Sequence, residues 1–331
     1  MPHATRPKRE RVNGREIRAS PDSDPDRPLS GLNGERPIVP EWYRALSATP
    51  TETFRVDIQG ANIEVLAWGQ RGHPGILLAH GSRAHARWWA PVAPMLSKTM
   101  RVVALSYSGM GLSDWRDSYS IDLEVDELFG TAQAGGLFAS GDPPCFVGHS
   151  FGARAVARAA ELRGAELGGA ILVDTPIAAR ERHRSADISD NPRRYPTLAA
   201  ALARFCLAPP QRCENLFILD EIARAGLVED EHGWTWLFDP RFRHKLQLHD
   251  AWQSIHRPAC PLGFIYGENS ALVTAELLSA QRQRVAPGTP FIGIPMAGHH
   301  VMFDQPVALS VAIRSMMFAF NACRGQVVAG D

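Results

Sequence analysis

Gly148-His149-Ser150-Phe151-Gly152 fits the pattern G-x-S-x-G, and its flanks decide how it is read. Before it, Cys145-Phe146-Val147 is a short apolar run that ends in a glycine. After it, Ala153 to Leu162, with alanine and arginine prominent, predicts a helix. The serine therefore sits where a strand turns sharply into a helix. Such a turn needs glycines two residues either side of the serine, because a Cβ there would clash with the neighbouring strand or helix. The turn holds Ser150 Oγ clear of the backbone. It also aims the Phe151 N–H at the first turn of the helix, where an oxyanion can bind. The pattern alone also arises by chance, so the rest of the chain must supply its context.

Three further blocks surround it. Gly75-Ile76-Leu77-Leu78-Ala79-His80-Gly81-Ser82 is a buried strand followed by His-Gly. Val102 to Asp114 is a strand followed by Ser108-Gly109-Met110-Gly111-Leu112-Ser113. Ala297-Gly298-His299-His300-Val301-Met302-Phe303-Asp304-Gln305-Pro306 comes late. With the serine turn, these blocks resemble the α/β-hydrolase fold family in content and order, from about Phe54 to Cys323. The second block looks like the family's D-x-x-G-x-G-x-S loop, with Ser106 where an Asp is usual. The last closely matches the family's late Gly-His segment. The resemblance implies an α/β fold: a mostly parallel α/β-hydrolase sheet with helices on both faces and a helical cap inserted after the sixth strand. It also implies an oxyanion hole made by the backbone N–H groups of Ser82 and Phe151.

A serine hydroxyl is a weak nucleophile at neutral pH and needs an imidazole to take its proton. His299 is the expected base, because it follows the glycine and precedes Asp304-Gln305-Pro306 by five residues, as in the family. His300 is the adjacent rival, and His149 flanks Ser150 as a packing residue. The third member should be an acid lying between serine and histidine in chain order. The family's usual position, three residues after the glycine ending Leu262–Gly267, holds Ser270 here. Two carboxylates could substitute. Asp174 ends the strand Ala170-Ile171-Leu172-Val173-Asp174, a position from which some members of the superfamily draw their acid. Glu268 lies in the right loop, displaced by two residues. Asp174 is preferred, as the short side chain at a rigid strand end. A hydrogen bond from Asp174 to a nearby loop N–H is its purely structural alternative.

Across 331 residues, Lys+Arg and Asp+Glu both number 35, so no global basic field draws nucleic acid or anionic membrane. The five cysteines are odd in number and lack a C-x-x-C pair, which points to free thiols in a reducing, cytoplasmic setting. No apolar run approaches the ~20 residues that span a bilayer. Residues 1–40 are rich in Arg, Asp, Pro, Gly and Ser and are expected to be a disordered tail without the apolar core of a signal peptide. Core sequence is expected over 41–175 and 259–331. Between them, 176–258 carries Pro192, Pro196, Pro209 and Pro210, many arginines, and a run of aromatics, as a cap would. Most of those aromatics read as the cap's own core, with Trp88, Trp234 and Trp236 expected to line a substrate pocket. Arg83 and Arg87 could meet a substrate carboxylate or simply be solvated.

Gly109-Met110-Gly111 lacks the third glycine of a dinucleotide fingerprint, and His80, His85 and Asp114 have no metal-ligand spacing. No cofactor and no metal are expected, and the partner is a small-molecule substrate. The whole reading is a serine hydrolase acting on a small carboxylic ester through an acyl-enzyme. Lactones, thioesters and carbon–carbon bonds beside a ketone share that chemistry. The alternative is a ligand-binding or signalling protein on the same scaffold, with the triad idle or very slow.

Overall fold

A computed structural model of the chain describes residues 26–178, 192–247 and 249–328, with side chains as far as 322. Eight strands form one sheet: β1 (Glu52–Ile58), β2 (Ala61–Trp68), β3 (Gly75–Ala79), β4 (Arg101–Leu105), β5 (Cys145–His149), β6 (Gly169–Val173), β7 (Leu262–Gly267) and β8 (Phe291–Ile294). Their order is β1-β2-β4-β3-β5-β6-β7-β8. β1 and β2 form an antiparallel hairpin, β2 pairs antiparallel with β4, and every other pairing is parallel.

Strands β3 to β6 are buried along their whole length, as strands covered on both faces must be. The pleat then sends alternate side chains into two cores. Ile76, Leu78, Val147, Ile171 and Val173 join one core, and Leu77, Ala79, Phe146, Ala170 and Leu172 join the other. Helices α1 (Ile121–Gly135) and α2 (Gly152–Arg163) cover the second core. The first is covered by α3 (Leu198–Leu202), α4 (Leu216–Ala225) and α6 (Pro306–Val328), the last contributing Leu309, Ile313 and Met316. Helix α5 (Ala275–Arg284) lies between β7 and β8 in the chain.

Two boundaries differ from the composition-based expectation. Residues 1–25 of the expected tail lie outside the described residues, but 26–40 are placed, and Leu29 and Leu32 are buried in the first core. Two leucines in a Pro/Arg-rich stretch have no periodicity, so composition hides them. The segment expected as a helical cap, of which 179–191 and 248 lie outside the described residues, is mixed rather than purely helical. Besides α3 and α4 it holds a hairpin pairing Leu227–Asp230 with Gly233–Trp236. Ile218, Leu219 and Ile222 of α4 pack into the sheet's own core. No helix among the described residues is long and apolar enough to cross a membrane.

Candidate active site

Ser150 follows β5 and precedes α2, with φ at +53°, in the left-handed region that non-glycine residues rarely occupy. The strain is held by bonds on both sides. Ser150 N–H donates to Val173 O at 2.9 Å, and Thr175 Oγ1 donates to Ser150 O at 3.1 Å. The flanking glycines are needed for the reason the sequence suggests. A Cβ on Gly152 would overlap the His80 carbonyl oxygen, and one on Gly148 would lie 2.6 Å from Ala153 Cα.

His299 and Asp174 converge on this serine. His299 Nε2 lies 2.9 Å from Ser150 Oγ, and His299 Nδ1 lies 2.7 Å from Asp174 Oδ1. An ionised carboxylate can only accept, so Nδ1 carries the proton and donates it, leaving Nε2 to accept from the serine hydroxyl. Asp174 immediately follows β6, is 1% exposed, and itself has φ at +43°. Its Oδ2 accepts from Gly267 N–H at 2.8 Å, and its Oδ1 accepts a second bond from Ser270 Oγ at 2.7 Å. Glu268, the other carboxylate weighed from sequence, is exposed and is directed toward Gly293 on β8 rather than toward His299.

His300 is also buried, but its ring packs against Trp88 and Phe303, and neither ring nitrogen has a partner among the described residues. His149 does more than pack: its Nε2 donates to His299 O at 3.0 Å and so fixes the histidine loop. Burial, reinforced by the neighbouring His299, holds the pKa of both rings well below the ordinary imidazole value. The loop is tied from the far side by Asp304, whose Oδ2 accepts from Gly298 N–H at 2.7 Å and Gln211 Nε2 at 2.9 Å. Gln211 Oε1 in turn accepts from His300 N–H at 2.9 Å.

Ser82 lies in the loop after β3, and Phe151 caps the start of α2 directly after Ser150. A Cβ on Gly81 would lie 3.3 Å from Ser150 Cβ, so the loop after β3 abuts the serine. Neither the Ser82 N–H nor the Phe151 N–H has an acceptor among the described residues. His80 shapes the loop: its Nδ1 donates to Gly81 O at 2.7 Å and its Nε2 accepts from Tyr107 N–H at 3.0 Å. Burial pushes this imidazole down to about 3, so it remains neutral.

Three contributors gave no signal that could be read from sequence. Glu64, on β2, occupies the role left open by Ser106. Its Oε2 accepts from Ser106 Oγ at 2.7 Å and from Leu112 N–H at 3.1 Å, which anchors the loop after β4. Gln211 and the donor role of Ser270 were equally hidden, because each depends on a contact between segments far apart in the chain.

A cavity of about 390 Å³ opens beside Ser82, between the core and the inserted segment. Trp88, Trp236 and Phe238 line it. Trp234 is not among its lining residues: it pairs with Tyr195 through 2.8 and 2.9 Å backbone hydrogen bonds and packs on the core. A larger cavity of about 600 Å³, near Trp42 and Glu52, shares no residue with the serine site.

The model of the alpha/beta hydrolase family matches residues 76–312. Esterase Rv0045c of Mycobacterium tuberculosis (strain ATCC 25618 / H37Rv) is 25% identical over 278 residues, covering 78% of this chain and 88% of that protein. Its crystal structure superposes with a TM-score of 0.64 at 24% identity, covering 87% of this chain and 96% of that one. The thioesterase domain from the curacin biosynthetic pathway superposes with a TM-score of 0.66 at 23% identity, covering 80% of this chain and 99% of that one. The matched segment runs from β3 through the serine turn to α6, so the chain belongs to the alpha/beta hydrolase family and is a hydrolase.

Proposed function

We propose that the chain is a serine hydrolase that cleaves small carboxylic esters through an acyl-enzyme. The observation that carries this reading is the unbroken hydrogen-bonded chain from Ser150 Oγ through His299 to the buried Asp174 carboxylate. Ser150 Oγ attacks the ester carbonyl carbon while its proton passes to His299 Nε2. The carbonyl electron pair moves onto oxygen, where the N–H groups of Ser82 and Phe151 receive it. The intermediate collapses, and the alcohol leaves with the proton from His299. Water then attacks the acyl-enzyme, gives its proton to His299, and frees the acid and Ser150. Asp174 holds the imidazole in the needed tautomer and stabilises its cation. No step calls for a cofactor or metal.

The ester preference draws on the likeness to esterase Rv0045c. In this reading, the inserted segment 176–258 acts as the cap that shapes the pocket and keeps water from it. Cys145, Cys206, Cys213 and Cys260, none of them in a disulfide among the described residues, suit a reducing cytoplasm. The idle-scaffold alternative drew on Ser270 at the usual acid position, and a carboxylate 2.7 Å from His299 Nδ1 speaks against it. Turnover of a panel of chromogenic esters and thioesters, beside a Ser150→Ala control, tests the reading. Ester turnover lost in the control supports it, and equal rates in both proteins contradict it.

A further inference from the structure

Arg101, Arg116, Arg158 and Arg224 each meet a carboxylate: Glu52, Glu127, Asp122 and Asp220. The four arginines that line the cavity beside Ser82 do not. Arg83, Arg193, Arg204 and Arg243 have no acid partner among the described residues, and no Asp or Glu is among the residues lining that cavity. The contrast is sharpest at one peptide bond: Arg194 pairs with Asp230, while Arg193 lines the cavity. The chain as a whole is formally neutral, so this positive field is local.

The cavity is built to hold a charged group near an apolar one. The Arg83 guanidinium lies 5.4 Å from the centroid of the Phe238 ring, over an aromatic wall that Trp236 continues. Burial, and then the charges of Arg243 and Arg193, lower the pKa of Arg83, so the guanidiniums feel one another. They keep their charge, and an anion is the group that relieves their mutual repulsion. A planar guanidinium fits carboxylate or phosphate oxygens two at a time. Ser82, in the loop that abuts Ser150, is among the lining residues, and the arginines come from both that core loop and the inserted segment.

We infer that this cavity selects substrates bearing an anionic group, carboxylate or phosphate, several bonds from the carbonyl that Ser150 attacks. The inference rests on the hydrolase reading above. Two matched substrate pairs test it. The 4-nitrophenyl monoester of glutarate is set against 4-nitrophenyl valerate, placing a carboxylate on the acyl side. Butyryl coenzyme A is set against butyryl pantetheine, placing phosphates on the leaving group. Binding to the Ser150→Ala protein and kcat/KM of the native protein are both measured.

In at least one pair the charged member should be favoured by about tenfold or more, the size of one charge-assisted hydrogen bond. Arg204→Gln and Arg243→Gln should each erase most of that preference, lowering kcat/KM on the charged member far more than on the neutral one. The preference should shrink as salt rises. The pair that shows it assigns the arginines to carboxylate or to phosphate. Equal binding within both pairs overturns the inference and leaves the hydrolase reading standing. Tighter binding of a charged member, with none of the four compounds turned over by the native protein, upholds the anion site and overturns the serine-esterase reading.

Discussion

Ser270 Oγ donates a 2.7 Å hydrogen bond to Asp174 Oδ1, the same oxygen that faces His299 Nδ1. The serine stands where the resemblance places the family's usual acid, and it supports a carboxylate reaching in from the neighbouring strand. Leu272 N–H and Val273 N–H donate to its Oγ at 3.2 and 3.1 Å, which aims the hydroxyl. Asp174→Asn should lower kcat by roughly 10³–10⁴-fold, because an amide favours the wrong tautomer and does not stabilise imidazolium. Ser270→Ala should cost only about fivefold, the worth of one hydrogen bond, since Gly267 N–H still holds Asp174. Steady-state rates on one chromogenic ester compare them, and equal losses in the two variants would contradict the assignment of roles.

The adjacent histidines should separate cleanly. His299→Ala removes the proposed base and should cost several orders of magnitude in kcat. His300→Phe keeps a ring against Trp88 and Phe303 and removes two buried nitrogens that have no partner. It should leave kcat within about threefold and should not lower Tm, because an unsatisfied buried polar group costs about 1–3 kcal/mol. A collapse of kcat in His300→Phe, with Tm intact, would show that the proton-transfer role has been given to the wrong ring.

Glu64 carries a structural burden that is independent of the chemistry. Removing its carboxylate leaves the buried Ser106 Oγ and the part-buried Leu112 N–H without their acceptor. Glu64→Ala should destabilise the fold by about 2–4 kcal/mol, and Glu64→Gln, which keeps one acceptor oxygen, by roughly half of that. Thermal unfolding reads both, and a wild-type Tm in Glu64→Ala would refute the anchor.

Stability should fall as the solution is acidified from neutrality. Burial holds the pKa of His80 at about 3 and that of His85 at about 4, against an ordinary 6.5. Above pH 6.5 both rings are neutral in the folded and unfolded chain, so they contribute nothing to the pH dependence. Below it, the unfolded chain binds protons that the folded protein refuses. The loss therefore develops from pH 6.5 toward 4 for His85 and toward 3 for His80, at up to about 1.4 kcal/mol per pH unit for each ring. A Tm series from pH 7 to pH 4.5 checks the direction, and a His85→Gln protein should show the shallower slope. A Tm that does not change over this range would contradict it.

The parts legible in sequence were those set by local steric rules. Gly148 and Gly152 mark a turn that admits no Cβ, and the buried runs around Leu77 and Phe146 mark strands covered on both faces. Asp174 could be singled out because a strand end fixes where a short side chain reaches. Glu64, Gln211 and the donor role of Ser270 were not legible, since each acts across segments whose proximity only the folded chain creates. The hairpin in the inserted segment was masked by Trp234 and Trp236, whose aromatic rings carry no strand periodicity that the sequence could show. The packed Leu29 and Leu32 were masked by the composition around them.

Covalent labelling is the decisive test of Ser150 as the nucleophile. A fluorophosphonate probe should add to the native protein once, with the label found on the peptide carrying Ser150 by mass spectrometry. Ser150→Ala should take up none. A catalytically active protein that stays unlabelled, or that carries the probe at another residue, would contradict the account.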